Sequence, residues 1–589
     1  MTSPWKSLVP WAAVLILGCG SSSGTSSDAP EAGGTDDGPT GFGDDAGSTE
    51  GGIGVGTADD EGPSAADAAV VGNDAAVGDA GAPPNRIKHV VVIVKENHTY
   101  DNMYGSYVPA PYLDSQGISH AQTANGLTAC PVAPAAAGVT TKTGACEEAP
   151  DKIGHDLNHA HSAALADWNS GAMNGWDTTN GSDRTGGATG DGTVFKQYFE
   201  RDIPNYWTLA KGNVLADNYF ANLLGPSFPG HMFTVAAQAH WATGNPPTDV
   251  TDNLCKLLAG QKESPYWGCD EFKGGSCDFG LTNESGDTLP VLLNGTTPSS
   301  IFPCFDIPAI PDVLPTGKTW KFYGTDWAEL TDESVSGALG SIVSEVGTNI
   351  LRKEPWSMLD AVKSIRENAT IWPNPDNGWK DSANMAVIGR PWDSSNAVAT
   401  DVATGKLADV TWIVDQDEYS EHPDLNLNQF LSGLNFPLGG VCDGENWTIG
   451  YVNMIMQSQY WQDTAILITY DDFGGWYDHV KPPRQYGGTA EQPYGLGFRV
   501  PLMIISPWAK HGFVLHDQAE QASIAKFIET VFGSTKTLTD MDPAAQDKQA
   551  NDLMNAFDFG QTLPTTPPAM HYRCCSGDSS NPPDCVADP

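Results

Sequence analysis

Two adjacent carboxylates, Asp471 and Asp472, come directly after an apolar run and just before the pair Gly474-Gly475. The run, 465–470, is short and rich in β-forming residues, which predicts a buried strand. Open α/β sheets place their ligands at the carboxyl ends of such strands. Because adjacent carboxylates repel each other unless a cation or a shared proton relieves them, the pair points to a cation site. A turn with two solvated aspartates is the alternative.

A second apolar run repeats this arrangement near the start of the folded part. Residues 87–94 are typical of a central parallel strand, and Glu96 and Asn97 follow that strand directly. The run thus ends, like the first, in oxygen-bearing side chains that prefer hard cations. For Glu96 the alternative is a surface acid that merely terminates the strand.

Ser227 is the residue best placed to be a nucleophile. It lies in a Gly-Pro-Ser-x-Pro turn that leads into a helical pattern. A serine at such a turn is commonly a helix N-cap. The functional alternative is a nucleophile at a helix N-terminus, where free N–H groups and the helix dipole favour a phosphoryl group. No Gly-x-Ser-x-Gly elbow surrounds Ser227, so a lipase-type triad is not indicated.

Three histidines, His155, His159 and His161, fall within seven residues. They fit a metal site or a phosphate contact, but polar surface near a helix start has the same composition. Spacing alone fixes no partner carboxylates for them. Of the three, we favour His155 as the phosphate contact or ligand.

Strands and helices alternate along the chain, which predicts an α/β domain with a largely parallel sheet flanked by helices. The region 245–305 is rich in loops and is expected to be an insertion that covers the site. No internal repeat, GxGxxG motif or P-loop is present. Further strands are predicted at 214–220, 318–323, 409–415 and 498–506, and helices at 160–169, 202–210, 447–461 and 518–532.

The charge balance excludes some classes of partner. The 589 residues include 30 basic and 73 acidic side chains, for a net charge of -43. A surface this acidic argues against nucleic acid as a partner and against simple adhesion to anionic membranes.

The first residues predict export. The apolar stretch 8–18 is too short to span a bilayer as a mature helix, and the sequence Leu17-Gly18-Cys19 resembles a bacterial lipobox. Cleavage before Cys19 would leave a diacylated cysteine, which anchors stably to a membrane. Because Gly20 rather than Asp follows, we expect an outer-membrane lipoprotein, with a secreted or periplasmic protein as the alternative.

Four segments follow from composition: a signal peptide at 1–18, an acidic Gly/Ala/Ser/Asp tether at 19–84 that is expected to be disordered, a catalytic domain at 85–540 and a cysteine-bearing tail at 541–589. Ten cysteines remain besides Cys19, an even number that suggests disulfides in an exported chain. We expect Cys130 to pair with Cys146, and the tail cysteines 574, 575 and 585 to tie down the C-terminus.

Several blocks occur in the order seen in the bacterial phosphoesterase family, which the chain resembles over roughly 86–535. They are Glu96-Asn-His-Thr-Tyr-Asp101, Gly225-Pro-Ser-Phe-Pro229, Glu421-His-Pro423, Tyr470-Asp-Asp-Phe-Gly-Gly-Trp-Tyr-Asp-His-Val480 and Arg499-Val-Pro501 with Ile505-Ser-Pro-Trp508. That family includes phosphatidylcholine-type phospholipases C and acid phosphatases. The resemblance implies an alkaline-phosphatase or sulfatase-like fold.

The resemblance also implies roles for individual residues. The metal ligands would be Glu96, Asn97, Asp471 and Asp472, with Ser227 as the nucleophile beside the metal. His155 and His422 would line the phosphate pocket, and His479 would lie beside it, with one of these histidines protonating the leaving group. The metal would be a divalent cation, with Ca, Mg or Mn favoured and Zn as an alternative.

The expected function is an exported, metal-dependent hydrolase of phosphoric esters, of phospholipase C or acid phosphatase type. Its substrate would be a phosphoester such as a phospholipid, and its membrane contact would come from the N-terminal lipid anchor. Gly230 departs from the family, whose members often have Asn after the Ser-x-Pro turn. The alternative is therefore a non-catalytic surface lipoprotein that binds phosphorylated ligands on the same fold.

Overall fold

The computed structural model describes residues 86–127, 147–152, 156–176, 179, 192–245, 289–293, 297–301, 304–324, 358–373, 382–393, 395–414, 419–423, 440–483, 495–563, 567–575 and 581–587. All of these residues fall within one compact unit, 84–589. The expected signal peptide and tether, Cys19, His155 and the Cys130–Cys146 pair lie outside the described residues.

An eight-stranded sheet organises the described part of the chain. Its strands are β1 (His89–Lys95), β2 (Val214–Ala216), β3 (Trp320–Gly324), β4 (Met385–Val387), β5 (Val410–Val414), β6 (Thr464–Tyr470), β7 (Leu502–Ile505) and β8 (Phe513–Leu515). Their order across the sheet is β8-β2-β7-β6-β1-β5-β3-β4. Neighbouring strands in this sheet are parallel except at β7, which runs antiparallel to β6 and β2. The predicted α/β fold with a largely parallel central sheet is confirmed.

The two central strands end side by side, which places the acidic side chains that follow them next to each other. In β1 and β6, His89 lies opposite Thr464 and Lys95 opposite Tyr470, so the strands end together. Every side chain of β6 is buried, and so is every side chain of β1 after its first residue. The near-continuous apolar runs therefore belong to strands that are buried on both faces. The residues that follow both strands emerge at one edge of the sheet.

The helices are α1 (Tyr100–Tyr104), α2 (His161–Trp168), α3 (Pro204–Gly212), α4 (Ser227–Ala236), α5 (Ile310–Val313), α6 (Lys363–Arg366), α7 (Ala397–Ala403), α8 (Val441–Met456), α9 (Ala522–Phe532) and α10 (Leu538–Met541). Helix α9 packs against α4, and α3 packs against β2 and β7. Short two-stranded sheets join Tyr112–Leu113 to Ser119–His120, Tyr219–Phe220 to Ala519–Glu520 and Leu289–Leu293 to Thr297–Ile301. Among the described helices, none is both long and apolar enough to cross a membrane.

Some element boundaries differ from the prediction. The helix expected at 447–461 is α8, which begins at Val441, where the Gly440 N–H donates to Asp443 Oδ2 at 3.3 Å. It ends at Met456, ahead of a separate 3₁₀ turn at Trp461–Asp463. The three-residue strands β4 and β8 carry too few residues to give a periodic signal.

The C-terminal segment packs onto the catalytic unit. Leu553 and Phe557 belong to the hydrophobic core. Disulfides join Cys442 to Cys575 and Cys574 to Cys585. The three tail cysteines thus tie down the C-terminus, as the sequence predicted, and one of them anchors it to the first turn of α8.

Candidate active site

The side chains that follow β1 and β6 form one buried acidic cluster at the edge of the sheet. Asp471 Oδ1 accepts hydrogen bonds from the backbone N–H groups of Asn97 at 3.0 Å and of Asp472 at 2.7 Å. Asp472 Oδ1 accepts from Gly474 N at 2.6 Å. Glu96 and these acids are at most 1% exposed. Glu96 and Asp471 also offer ligand atoms within 4.8 Å of each other. The structure therefore brings together the four residues to which the family resemblance gave the role of metal ligands.

Backbone geometry holds this cluster in place. Asn97 adopts φ +67°, a left-handed conformation that Asn tolerates better than most side chains. Gly474 also has positive φ, and a Cβ atom there would lie 2.2 Å from Asn97 O. The glycine turn after the carboxylates is thus required for the close approach of the two loops.

The electrostatics of the pair fit a cation. Burial, followed by the neighbouring Asp471 charge, raises the pKa of Asp472 well above its ordinary value. Burial also raises the pKa of Asp471. Within the described residues, the buried Asp471 Oδ2 has no hydrogen-bond donor. Two desolvated carboxylates with an open oxygen, next to a glutamate and an amide, suit a divalent ion with oxygen ligands.

Ser227 lies directly against this cluster. Its Oγ donates to Asp472 Oδ2 at 3.1 Å, and it lies 3.4 Å from Asn97 Oδ1. Ser227 is the first residue of α4, and Pro226 occupies the N-cap position. The alternative that Ser227 is itself the N-cap is therefore wrong, because its hydroxyl contacts the acidic cluster rather than its own helix.

Gly230 has a steric explanation. A Cβ atom at this position would lie 1.9 Å from the carbonyl oxygen of Asp471. Helix α4 therefore approaches the end of β6 so closely that no side chain fits between them. The Gln521 side chain also lies at this contact, where its Nε2 donates to Tyr470 O at 3.0 Å. The glycine that replaces the family's usual Asn at position 230 is therefore explained by this close packing.

His231 is a residue that the sequence reasoning missed. Its ring is buried, and Nε2 lies 3.5 Å from Glu96 Oε1 and 3.6 Å from Asp471 Oδ2. Burial lowers its pKa to about 3. The signal was available in the sequence, because His231 follows Ser227 by four residues and residues i and i+4 share a helix face.

A second buried group joins Asp156, His159 and His422. Asp156 Oδ1 lies 3.3 Å from His159 Nδ1 and 4.0 Å from His422 Nε2. His159 Nδ1 donates to Leu157 O at 2.8 Å, and His422 Nδ1 donates to Pro423 O at 2.5 Å. Because Nδ1 donates in both rings, each ring keeps a lone pair on Nε2 in its neutral form.

This group is electrostatically coupled to the acidic cluster. The nearby charge of His159 lowers the pKa of both Asp471 and Asp472 against the larger effect of burial. His155, the histidine favoured from the sequence, lies outside the described residues. Among the described residues, His159 lies beside His422, with ring centroids 5.7 Å apart.

A buried network fixes the loop that carries His422. Glu421 adopts φ +76°, and its carboxylate accepts hydrogen bonds from Tyr206 at 2.5 Å and Tyr470 at 2.7 Å. Lys95 Nζ lies 3.4 Å from the same carboxylate. The hydrogen bonds and the Lys95 contact stabilise the left-handed backbone at Glu421. Strained backbone of this kind is common at functional sites.

His479 belongs to a different group. Its Nδ1 donates to Asp101 Oδ2 at 2.6 Å, and its backbone N–H donates to the same oxygen at 2.7 Å. Buried Arg499 binds Asp101 and Asp478, each at 2.9 Å. Partial burial lowers the pKa of His479, but the Asp101 hydrogen bond and the negative charges of Asp101 and Asp478 together outweigh burial, so the net shift is upward. The contacts that the structure shows for His479 do not reach Ser227.

The chain is similar to known phospholipases C over most of its length. Phospholipase C B of Mycobacterium tuberculosis is 24% identical over 520 residues, which cover 83% of this chain and 81% of the relative. Non-hemolytic phospholipase C of Pseudomonas aeruginosa is 22% identical over 510 residues, covering 80% of this chain and 57% of the relative.

Among solved structures, a protein in the alkaline phosphatase superfamily from Vibrio parahaemolyticus matches with a TM-score of 0.28 and 12% identity. The match covers 60% of this chain and 63% of that one. Residues 87–535 match the Phosphoesterase family. The chain therefore belongs to the phosphoesterase family, which makes it a hydrolase of phosphoric esters.

Proposed function

We propose that this hydrolase uses Ser227 as its nucleophile, depends on a divalent cation and cleaves phosphodiesters of the phospholipid class. The observation that carries the proposal is the position of Ser227 Oγ, 3.1 Å from Asp472 Oδ2 and 3.4 Å from Asn97 Oδ1 at the start of α4. A hydroxyl in that place meets both a proton acceptor and the positive end of a helix dipole.

The residues of the acidic cluster and Ser227 would have separate roles in this mechanism. Glu96, Asn97, Asp471 and Asp472 would hold the cation, which supplies charge neutralisation for the phosphate and for the serine oxygen. Asp472 accepts the hydrogen bond of Ser227 and orients its oxygen. The serine oxygen gives its proton to Asp472 and forms a bond to phosphorus, while the bond from phosphorus to the alcohol breaks. Water then attacks phosphorus and displaces the serine oxygen, which releases the phosphoryl product and regenerates the Ser227 hydroxyl.

We assign contact with the phosphate and protonation of the leaving alcohol to the histidines. His159 and His422 keep lone pairs on Nε2, so each ring either accepts a proton or takes one up and donates it to the departing oxygen. His479 is held by Asp101, and its raised pKa favours the protonated form that a general acid needs. Which ring serves the leaving group is decided by comparing the pH profiles of single glutamine variants.

The relatives support the substrate class, because both of those described above are phospholipases C by name. The test is turnover of p-nitrophenyl phosphorylcholine, phosphatidylcholine vesicles and p-nitrophenyl phosphate by the purified chain. We expect the two diesters to be cleaved faster than the monoester. A preference for the monoester would place the enzyme with the acid phosphatases, and no turnover of any ester would refute the proposal.

Ser227→Ala tests the nucleophile, with Ser115→Ala as the matched control because Ser115 is exposed in a surface turn. We expect the first variant to lose turnover and the second to keep it, while both unfold at the wild-type temperature. A non-catalytic phosphate-binding protein would instead bind inorganic phosphate without turning over any ester. The feature that suggested this alternative, Gly230, is accounted for by its contact with Asp471.

We also propose that the chain is exported and lipidated at Cys19. The lipobox-like sequence before Cys19 supports this, and so do the disulfides at Cys442–Cys575 and Cys574–Cys585, which persist in oxidising compartments. Mass spectrometry of the N-terminal peptide should find an acylated cysteine in membrane fractions. A Cys19→Ala chain that remains in the membrane fraction would contradict the anchor.

A further inference from the structure

The strongest unassigned feature is a histidine inside the acidic cluster. Helix α4 places Ser227 and His231 four residues apart, so both side chains face the carboxyl ends of β1 and β6. One ligand atom each from Glu96, His231 and Asp471 lie within 4.8 Å of one another, and all three side chains are buried. No motif in the sequence assigned a role to this histidine.

The distances suit a shared cation better than hydrogen bonds. Nε2 lies 3.5 Å from Glu96 Oε1 and 3.6 Å from Asp471 Oδ2, whereas N–H···O hydrogen bonds are seldom longer than about 3.2 Å. With bonds of about 2.1 Å from the metal to nitrogen and oxygen, neighbouring ligands of a tetrahedral site lie about 3.4 Å apart. Both distances from Nε2 to the carboxylate oxygens are close to that value.

A second observation, at the Asp471 carboxylate, also indicates a cation between His231 and Asp471. Asp471 Oδ1 is occupied by two backbone N–H groups, but the buried Asp471 Oδ2, which faces His231, has no hydrogen-bond donor among the described residues. Leaving a desolvated carboxylate oxygen open is costly unless a cation binds it. Gly230 contributes by letting the helix, and His231 with it, come this close.

We infer that His231 Nε2 is a direct ligand of the catalytic cation, beside the carboxylates of Glu96 and Asp471. This inference rests on the proposed cation dependence and refines it. A mixed nitrogen and oxygen donor set favours a transition-metal dication such as Zn²⁺ or Mn²⁺, whereas Ca²⁺ and Mg²⁺ prefer oxygen alone. The preference for a hard cation that the sequence suggested therefore shifts toward the transition metals.

The experiment is pulsed EPR on the full chain loaded with one equivalent of Mn²⁺, which detects the nitrogen of a coordinated imidazole. We expect the imidazole signal in the wild type and in His161→Gln, the matched control, because His161 contacts Leu224 O and lies outside the cluster. We expect the signal to disappear in His231→Gln, which offers an amide oxygen instead. No imidazole signal in the wild type, or a signal that survives in His231→Gln, overturns the inference.

Two further measurements keep the test decisive. If His231→Gln does not fold, the double variant His159→Gln/His422→Gln replaces it: a retained signal supports His231, and a lost signal overturns it. Competition titrations should show tighter binding of Zn²⁺ than of Ca²⁺ to the wild type. His231→Gln should bind Zn²⁺ at least about tenfold more weakly, because changes even outside the ligand shell cost that much.

The outcomes separate this inference from the proposed function. Turnover of phosphoesters without an imidazole signal would leave the hydrolase in place and remove His231 as a ligand. An imidazole signal without turnover would keep His231 as a metal ligand and refute the proposed hydrolysis of phosphodiesters.

Discussion

Gly230→Ala is the substitution whose effect the structure fixes most tightly. An alanine Cβ would lie 1.9 Å from Asp471 O, whereas real Cβ atoms essentially never come within 3.0 Å of another heavy atom. The helix and the end of β6 must therefore separate by about 1.1 Å, which is the difference between the two distances. Overpacking of this kind costs about 1–3 kcal/mol of the free energy of unfolding.

The same movement should damage catalysis. Ser227 and His231 flank position 230 on α4, so a shift of the helix moves both away from the acidic cluster. A misplacement of about 1 Å costs on the order of 100-fold in rate. We therefore expect kcat for p-nitrophenyl phosphorylcholine to fall about 100-fold in Gly230→Ala, with a lower urea midpoint.

The matched control is Gly212→Ala at the end of α3, where an added Cβ meets nothing within 4 Å. It should be neutral or slightly stabilising, because alanine restricts the unfolded chain. Wild-type kcat together with a wild-type urea midpoint in Gly230→Ala would refute the close-packing argument.

Three other predictions concern charge. Arg499→Leu should lower the free energy of unfolding by about 3–5 kcal/mol in urea titrations, because Asp101 and Asp478 would stay buried without their partner; a loss below about 1 kcal/mol would contradict this. The pKa of His479 is raised above 6.5, so its protonated form stabilises the fold fully below pH 6.5. The stability advantage of wild type over His479→Gln should thus shrink as pH rises past that value, and a constant advantage would refute the assignment. Removing the cation with a chelator should lower Tm, because the repulsion between Asp471 and Asp472 is then unrelieved. Adding the cation back at 100 times its Kd should raise the free energy of unfolding by about 2.7 kcal/mol. An unchanged Tm would argue against a cation site.

The sequence carried enough signal for the sheet and for the acidic residues. Strands β1 and β6 are long, apolar and buried on both faces, so their ends were predicted within two residues. The side chains directly after such strands have only one edge of a parallel sheet to occupy. Glu96 and Asp471 could therefore be placed together before any coordinates were known.

Contacts that depend on how the loops fold were beyond sequence reasoning. The favoured histidine, His155, lies outside the described residues and stays a prediction. The pairing of His159 with His422 through Asp156 depends on how two distant loops fold, which local spacing does not encode. The turn that presents His422 depends on Glu421 bound by tyrosines from elsewhere in the chain. No local pattern encodes such a partner.

His231 shows a different kind of omission. Its spacing from Ser227 was visible, but a histidine inside an apolar helical pattern is usually a packed core residue. Only the distances of its ring from Glu96 and Asp471 in the structure suggest a ligand rather than a core histidine.

The central claim is that Ser227 attacks phosphorus, and it is tested most directly by trapping the covalent intermediate. The chain would be mixed with p-nitrophenyl phosphorylcholine, quenched in acid within the first turnover and digested for peptide mass spectrometry. The account predicts one phosphorylcholine group on Ser227, absent from Ser227→Ala and from enzyme treated with chelator. A burst of nitrophenol with the adduct on another residue, or turnover that persists in Ser227→Ala, would contradict it.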